Sequence, residues 1–180
     1  MITDQLNLFP NLDILEKKIK NIDYLDISKL PDDPMRTKYG VNSFQYKNFP
    51  EDVYFIHKTG GTNRYKPEKG NIFPYIQNKN TGKVLSISST KTDLYPKVSL
   101  RTREQDNPYV ISRIHRLVGL AFFELPKTFY DVKIQWVVNH INHDITDYEL
   151  SNLEWVTTKE NSLGKDFSGK TQQQMKVFFQ

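Results

Sequence analysis

Cysteine is absent from this chain of 180 residues, and its absence excludes several classes of site. Without thiols the protein has no disulfide, no thiolate zinc centre and no cysteine nucleophile. Histidine, carboxylate and amide side chains remain as possible metal ligands. Any metal in this protein would therefore be held by hard donors.

Long apolar runs are also missing from the sequence. No stretch approaches the roughly 18 residues that a membrane-spanning helix needs, and the first residues lack the basic segment of a secretory signal peptide. With 37% hydrophobic and 13% aromatic residues, the chain is long enough for one domain and an appendage. We expect a soluble, intracellular protein that makes no membrane contact.

Positive charge is concentrated in the middle of the chain. The formal net charge is only +4, but residues 60–135 contain 13 Lys and Arg against 6 Asp and Glu. Residues 1–59 contain 8 against 9, and residues 136–180 contain 4 against 6. A basic segment beside an acidic one suits a surface that follows nucleic-acid phosphates next to a metal-dependent site, although a solvated basic face has the same composition.

The first third of the chain carries few chemical signals. A short helix is predicted from five apolar residues at helical spacing, namely Leu12, Ile14, Leu15, Ile19 and Ile22. An irregular stretch with Pro and Asp follows from residue 31 to 50. Loop-forming residues at 60–63 and 67–70 place the boundary of the recognisable module near residue 70.

Strands are predicted after that boundary. Residues 73–76 and 83–88 flank a turn rich in Asn and Gly, so we expect them to pair as a hairpin. Residues 95–103 alternate between polar and apolar side chains, which predicts a third strand with one basic or polar face. Residues 109–114 are a candidate fourth strand.

The next segment has the pattern of two strands and two helices. Residues 115–123 show the apolar stripe of a buried helix, which Pro126 ends. Strands are predicted at 135–139 and 153–156, and Thr157 with Glu160 predicts a capping box that opens a last helix. The core is expected to use large side chains from this segment: Leu117, Phe122, Trp136, Leu153, Trp155 and Val156.

One run of residues carries the functional signal. It reads His-Arg-Leu-Val-Gly-Leu-Ala-Phe from His115, Val-Asn-His at 138–140, Ser-Asn-Leu-Glu-Trp-Val-Thr at 151–157 and Glu-Asn at 160–161. Twelve positions separate His140 from Asn152, and nine separate Asn152 from Asn161. This pattern and spacing resemble the HNH motif of the phage-type HNH homing endonucleases over residues 72–164.

The resemblance implies a fold and a domain order. The fold class would be α+β, with an N-terminal helical or irregular arm, a small antiparallel β module and a ββα-metal HNH core. The corresponding segments are an arm of unknown role at 1–70, a basic DNA-contacting β module at 71–114, the nuclease core at 115–164 and a tail at 165–180. The activity implied is hydrolysis of DNA phosphodiesters, with one strand nicked at each site.

The resemblance also assigns roles to the motif residues. His140 would be the general base, since a neutral imidazole accepts a proton near physiological pH. Asn139 and Asn161 would bind Mg²⁺, or another divalent ion such as Mn²⁺, through their side-chain oxygens. Both ligands are neutral, so weak metal binding is expected in the absence of DNA. Asn152, counted with His140 and Asn161 as catalytic, would fix the loop that orients His140.

Other interpretations of these residues stay open. Taken singly, each asparagine is also typical of a turn or a helix cap. His115 is expected to pack or to cap its helix, with contact to the scissile phosphate as the alternative. His143 and Asp144 are too few for a closed zinc site, so zinc is not expected. Asn142 and His143 stand where the family commonly has Asp-Gly, which leaves the turn geometry open.

Double-stranded DNA is the expected partner. Seven basic residues are candidates for backbone contacts, which position DNA without reading its sequence: Lys79, Lys83, Lys97, Arg101, Arg103, Arg113 and Arg116. A strand around residues 97–103 is a candidate for reading bases in a major groove.

Two alternatives to a nuclease are compatible with the sequence. The first is a catalytically inactive HNH-fold protein that serves as a nucleic-acid-binding or structural subunit of a larger protein or nucleoprotein assembly, contacted through residues 1–70 and 165–180. The second is a sequence-specific regulator without nuclease activity. The protein is expected in the cytoplasm of a host cell or associated with a virus.

Overall fold

The described part of the chain contains three small antiparallel sheets and one central helix. The computed structural model describes residues 19–34, 45–105 and 108–162. The strands in chain order are β1 (Tyr24–Asp26), β2 (Tyr54–Gly61), β3 (Phe73–Asn78), β4 (Lys97–Arg101), β5 (Tyr109–Arg113), β6 (Trp136–His140) and β7 (Leu153–Thr157). Helix α1 (Ile114–Phe122) follows β5 directly, and residues 158–162 are helical after β7. The predicted α+β class is confirmed.

The first sheet crosses the sequence boundary predicted near residue 70. Its order is β1-β2-β3, all antiparallel, so two strands of the predicted arm share a sheet with the first strand of the predicted β module. The predicted hairpin partner of β3, residues 83–88, forms only a short pairing. Its hydrogen bonds run from the amide of Asn78 to the carbonyl of Lys83 and from the amide of Leu85 to the carbonyl of Ile76, at 2.9 and 2.8 Å. Most of the predicted N-terminal helix lies outside the described residues.

The second sheet is the ribbon β4-β5. Its register pairs Lys97 with Arg113, Ser99 with Ile111 and Arg101 with Tyr109, and Val98 and Leu100 turn to the core. Alternation between the two faces is the normal result of strand geometry. The sequence predicted both strands, and the outer face carries the polar and basic residues expected of it.

Helix α1 lies at the centre of the core. All but one of its nine residues are buried, including the predicted stripe of Leu117, Val118, Ala121 and Phe122. Gly119 lets the helix approach the third sheet closely, because a Cβ there would lie 2.6 Å from Cγ2 of Val138. The helix therefore serves as the platform on which the β6-β7 hairpin rests.

The described part of the predicted arm also holds this helix in place. The ammonium group of Lys20 donates hydrogen bonds to the carbonyls of Leu120 and Ala121, at 3.1 and 3.2 Å, and its backbone amide donates to the carbonyl of Phe122. A cation at a helix C-terminus satisfies carbonyls that have no partner inside the helix and interacts favourably with the helix dipole. Described residues before position 70, such as Lys20, are thus part of the scaffold of the core.

Candidate active site

The β6-β7 hairpin brings the motif residues to one end of the third sheet. Asn139 and His140 are the last two residues of β6, and the antiparallel register places Glu154 opposite Asn139 and Leu153 opposite His140. Helical residues 158–162 follow β7 and carry Asn161. The predicted capping box opens this helix: the backbone amide of Thr157 donates to Oε2 of Glu160 at 2.7 Å, and the amide of Glu160 donates to Oγ1 of Thr157 at 3.2 Å.

An open cleft of about 370 Å³ joins these side chains. Asn139, His140 and Asn161, which the motif singles out, all line it. The other lining residues are Tyr95, Val138, His143, Ile145, Glu154, Val156 and Glu160. Three side chains that are up to 22 positions apart in the chain thus line the same cleft, which a common site requires.

The imidazole of His140 is held among other rings. It is 4% exposed, and its ring centroid lies 4.9 Å from that of His115 and 6.0 Å from that of Tyr95. Burial lowers the pKa of His140 to about 4, against the opposing effect of Asp144 and Asp147. Its Nε2 atom is buried without a hydrogen-bond partner in the described part of the chain. The ring is therefore neutral at physiological pH.

His115 lies in the first turn of α1 and packs behind the site. Its ring is buried, lies 5.1 Å from the ring of Tyr95 and meets His140 edge-on. Burial lowers the pKa of His115 well below its usual value, with a further contribution from His140. The packing role expected for His115 agrees with this position, and His115 does not line the cleft.

Asn139 is oriented by its cross-strand neighbour. Its side-chain amide donates from Nδ2 to Oε1 of Glu154 at 3.0 Å. Within the described residues no cluster of three or more His, Cys, Asp or Glu side chains is suited to a metal ion. The cleft instead contains the side-chain amides of Asn139 and Asn161 and the carboxylates of Glu154 and Glu160. Amide and carboxylate oxygens are both hard donors that Mg²⁺ accepts.

Asn152 ties both ends of the loop between β6 and β7. Its Oδ1 accepts a hydrogen bond from the amide of Asn142 at 2.9 Å, and its Nδ2 donates to the carbonyl of Asp147 at 2.7 Å. Its own carbonyl accepts from the amide of Ile141 at 2.8 Å. Asn152 is buried and does not line the cleft, so these contacts agree with the loop-fixing role expected for it.

Loss of these contacts has a measurable consequence. We expect Asn152→Ala to lower the free energy of unfolding by about 1–3 kcal/mol, because a buried carbonyl loses its hydrogen-bond donor. Urea denaturation measures this change. The neighbouring exposed Ser151→Ala is the control and should stay within about 0.5 kcal/mol of wild type. Equal stability of the two variants would show that the loop does not depend on Asn152.

A turn forms at residues 142–143 although the chain has Asn-His there and not Asp-Gly. His143 has a φ of 62°, in the left-handed region that glycine adopts at low cost and other residues rarely occupy. Its amide donates to the carbonyl of His140 at 3.0 Å, and Oδ1 of Asn142 accepts from the amide of Asp144 at 2.9 Å. The asparagine side chain therefore closes the turn, and His143 adopts the left-handed conformation without glycine.

A second set of contacts holds this loop from the segment before β3. Lys69 pairs with Asp147 at 2.7 Å and with Glu149 at 3.0 Å, and Lys66 pairs with Asp144. Burial alone would raise the pKa of Asp144, but hydrogen bonds from Lys66 and Thr146 lower it to about 2. No local sequence signal indicates these ion pairs, because both lysines lie in a segment with a loop-like sequence that meets the acidic residues only in the folded chain.

Arg116 does not belong to the DNA-binding surface predicted from the sequence. Its Nε and Nη2 atoms donate to the two carboxylate oxygens of Asp33 at 3.0 and 2.6 Å, and Nη1 donates to the carbonyl of Trp136 at 2.7 Å. Asp33 is fully buried, and the guanidinium also lies over the ring of Trp155 at 4.7 Å. A count of positive charges could not reveal this buried pairing.

The other predicted DNA-binding residues differ in availability. Lys79, Lys83, Arg101 and Arg103 are exposed. Lys97 and Arg113 both pair with Asp93, at 3.0 and 3.2 Å, and Arg113 also lies over the ring of Tyr95, which lines the cleft. The ribbon β4-β5 therefore connects the basic surface with the candidate site.

Among the described residues, no helix is both long and apolar enough to span a membrane.

Comparison with known proteins identifies the segment that forms this site. Residues 112–163 match the family model of HNH endonucleases. The chain is 40% identical over 89 residues to the uncharacterized HNH endonuclease L247 of Acanthamoeba polyphaga mimivirus, a match that covers 49% of this chain and 20% of that protein. It is 30% identical over 112 residues to the uncharacterized HNH endonuclease L245 of the same virus, covering 56% of this chain and 31% of that protein.

The chain thus spans less than a third of the length of these two viral relatives. A solved structure on DNA binding and cleavage by the HNH homing endonuclease I-HmuI is also similar, with 18% identity and a TM-score of 0.49 over 87% of this chain and 66% of that chain. The segment that carries Asn139, His140, Asn152 and Asn161 is the one that the family model covers. The candidate site residues thus lie in the segment of this chain that is similar to HNH endonucleases.

Proposed function

We propose that the protein is a Mg²⁺-dependent DNA endonuclease of the homing type that nicks one strand of a duplex. The observation that carries this proposal is the convergence of Asn139, His140 and Asn161 on one cleft. The names of the two mimivirus relatives support the same activity and an association with a virus. Double-stranded DNA is the proposed substrate.

His140 is the proposed general base. Hydrolysis requires a water molecule that attacks the phosphorus in line with the leaving 3′ oxygen and loses a proton as it does so. The imidazole is neutral, held by the rings of His115 and Tyr95, and has a buried nitrogen without a partner in the described residues. These properties supply a fixed proton acceptor in a partly dehydrated site.

The residues of the cleft fit a divalent cation. Asn139 and Asn161 both line the cleft and carry side-chain oxygens, one at the end of β6 and the other on the helix after β7. When bound there, Mg²⁺ would stabilise the negative charge that develops on the phosphate and on the leaving oxygen. The capped start of the helix at Thr157 adds the positive end of a helix dipole near the same phosphate. Mn²⁺ would serve in place of Mg²⁺.

DNA would approach along the ribbon β4-β5 and the turn after β3. Arg101, Arg103, Lys79 and Lys83 are exposed there, and Arg113 links this surface to Tyr95 at the cleft. Such side chains bind phosphates and displace counterions, so binding should weaken as the salt concentration rises.

A larger assembly that contacts residues 1–70 and 165–180 stays a prediction, and residues 163–180 lie outside the described part of the chain.

A plasmid assay tests the activity. We expect the full chain to convert supercoiled plasmid to the nicked circle in the presence of Mg²⁺ or Mn²⁺. EDTA should stop the conversion, because no lysine or arginine among the described residues lines the cleft to offset the charge that develops on the phosphate. Gel electrophoresis measures the open circle against linear DNA. Absence of conversion with both metals would contradict the proposal, and direct appearance of linear DNA would contradict the nicking mode.

A further inference from the structure

The two predicted metal ligands leave the cation site without a negative charge. Asn139 and Asn161 are both neutral, whereas Mg²⁺ sites in proteins usually contain one or two carboxylates. The carboxylate nearest to Asn139 on the adjacent strand belongs to Glu154, which stands directly opposite it in the β6-β7 register. Glu154 lines the same cleft as His140 and Asn161 and was not among the candidate site residues from the sequence.

We propose that Glu154 is the carboxylate ligand of the divalent cation, beside Asn139 and Asn161. This inference rests on the function proposed above, since it completes the cation site of the same cleft. It gives the site a net charge of −1 from one carboxylate and two amides. Metal binding then no longer depends on a DNA phosphate for its only negative charge.

The spacing between Asn139 and Glu154 suits two neighbouring ligands of one Mg²⁺ ion. Nδ2 of Asn139 and Oε1 of Glu154 are 3.0 Å apart. Two oxygens bound at right angles to Mg²⁺, each at about 2.0–2.1 Å, lie about 2.9 Å from one another. A half-turn of the Asn139 amide about its last torsion exchanges Nδ2 for Oδ1, so both side chains then present oxygen at this spacing without movement of the backbone.

The other carboxylates around the loop are already engaged. Asp144 pairs with Lys66, and Asp147 and Glu149 pair with Lys69. Glu160, the second carboxylate in the cleft, accepts hydrogen bonds at Oε2 from the amide and hydroxyl of Thr157, at 2.7 and 2.8 Å. Within the described residues no lysine or arginine forms an ion pair with Glu154. Its charge is therefore available to a cation.

Direct measurement of Mn²⁺ binding without DNA tests this assignment. The experiment compares the full-length wild type with Glu154→Gln and Glu160→Gln, using electron paramagnetic resonance to count free Mn²⁺. Glu154→Gln removes the charge and keeps an oxygen that accepts from Asn139, so the hairpin should fold as before. We expect it to weaken Mn²⁺ binding about tenfold or more, a loss that is common even for groups that only support a metal ligand. Glu160→Gln should leave the affinity within about twofold, since its carboxylate serves the helix cap.

Three outcomes would overturn the proposal: equal affinities of wild type and Glu154→Gln, a larger loss in Glu160→Gln, or absence of Mn²⁺ binding to wild type at millimolar concentration. The readout is independent of cleavage. If Glu154→Gln binds Mn²⁺ more weakly while wild type cuts no plasmid, the nuclease proposal fails and the cation site stands. If wild type nicks plasmid and Glu154→Gln binds Mn²⁺ normally, the nuclease proposal stands and Glu154 is not a ligand.

A second variant tests the same contact from the other strand. Asn139→Asp would set two carboxylates opposite each other at about the observed 3.0 Å, where like charges repel. We expect its melting temperature to lie below that of wild type in EDTA and to rise more than that of wild type when Mn²⁺ is added. The double variant Asn139→Asp with Glu154→Gln should lose the penalty in EDTA. A melting temperature of Asn139→Asp that Mn²⁺ does not change would contradict the role of Glu154.

Discussion

Replacement of His140 by alanine is expected to slow DNA cleavage by about 10²- to 10⁴-fold, the range that a positioned general base contributes. The imidazole is the neutral, buried group of the cleft, and its removal leaves the attacking water without a fixed proton acceptor. Single-turnover nicking of supercoiled plasmid in Mg²⁺ measures the rate. Circular dichroism of the variant establishes that the hairpin still folds.

His143→Ala is the matched control for this experiment. His143 is a second histidine of the same cleft, three residues further along the chain, but its side chain is exposed. It should retain the wild-type rate within about threefold, which is far less than the loss expected for a general base. Equal rates for wild type and His140→Ala would show that His140 is not the base. A large loss in His143→Ala alone would transfer the role to His143.

Arg116→Ala is expected to lower the free energy of unfolding by about 3–5 kcal/mol, the usual cost of removing one partner from a buried ion pair. The substitution takes the bidentate guanidinium from Asp33, which is fully buried, and removes a donor from the carbonyl of Trp136. The contact of the guanidinium with the ring of Trp155 is lost as well. Urea denaturation followed by tryptophan fluorescence measures the change, since both tryptophans lie next to Arg116.

Arg113→Ala is the matched control, because this arginine lies next to the start of α1 but forms an exposed ion pair with Asp93. Its stability should change by less than about 1 kcal/mol, as is typical of surface pairs. Its DNA affinity should fall, with a salt dependence reduced by about one counterion. A destabilised Arg113→Ala beside a fully stable Arg116→Ala would contradict the distinction between the two side chains.

The local elements around the site could be predicted because their signals lie within a few residues of one another. Helix α1 begins and ends within one residue of the prediction, since the apolar stripe and the following Pro126 define it. The capping box at Thr157 and Glu160 forms as expected, because both partners belong to a single turn. Strand β6 begins and ends one residue later than predicted, and β7 ends one residue later.

The contacts that fix the site come from distant parts of the chain and left no local signal. Lys69 lies 78 positions from Asp147, and Asp33 lies 83 positions from Arg116. Arg116 was predicted to contact DNA because it is a basic residue beside the motif. An arginine in that position is equally typical of a phosphate contact and of a buried ion pair. The boundary placed near residue 70 followed loop-forming residues, which also occur between paired strands such as β2 and β3.

Glu154 illustrates a third limit of the sequence. The resemblance to the HNH motif assigns roles to His140 and the asparagines but none to Glu154. Glu154 lies opposite Asn139 only because of the register of β6 and β7. A shift of one residue would place the Glu154 side chain on the other face of the sheet. Predicting the antiparallel pairing of the last residues of β6 with the first residues of β7 would have placed Glu154 opposite Asn139.

The location of the cation tests the account most directly. The measurement is an anomalous difference map from crystals of the protein grown with Mn²⁺ and duplex DNA. We predict a Mn²⁺ peak between the side-chain oxygens of Asn139 and Asn161, against a DNA phosphate and on the side of the cleft that His140 faces. A peak elsewhere, such as beside Asp144 and Glu149, or a duplex bound with its phosphates away from His140, would contradict it.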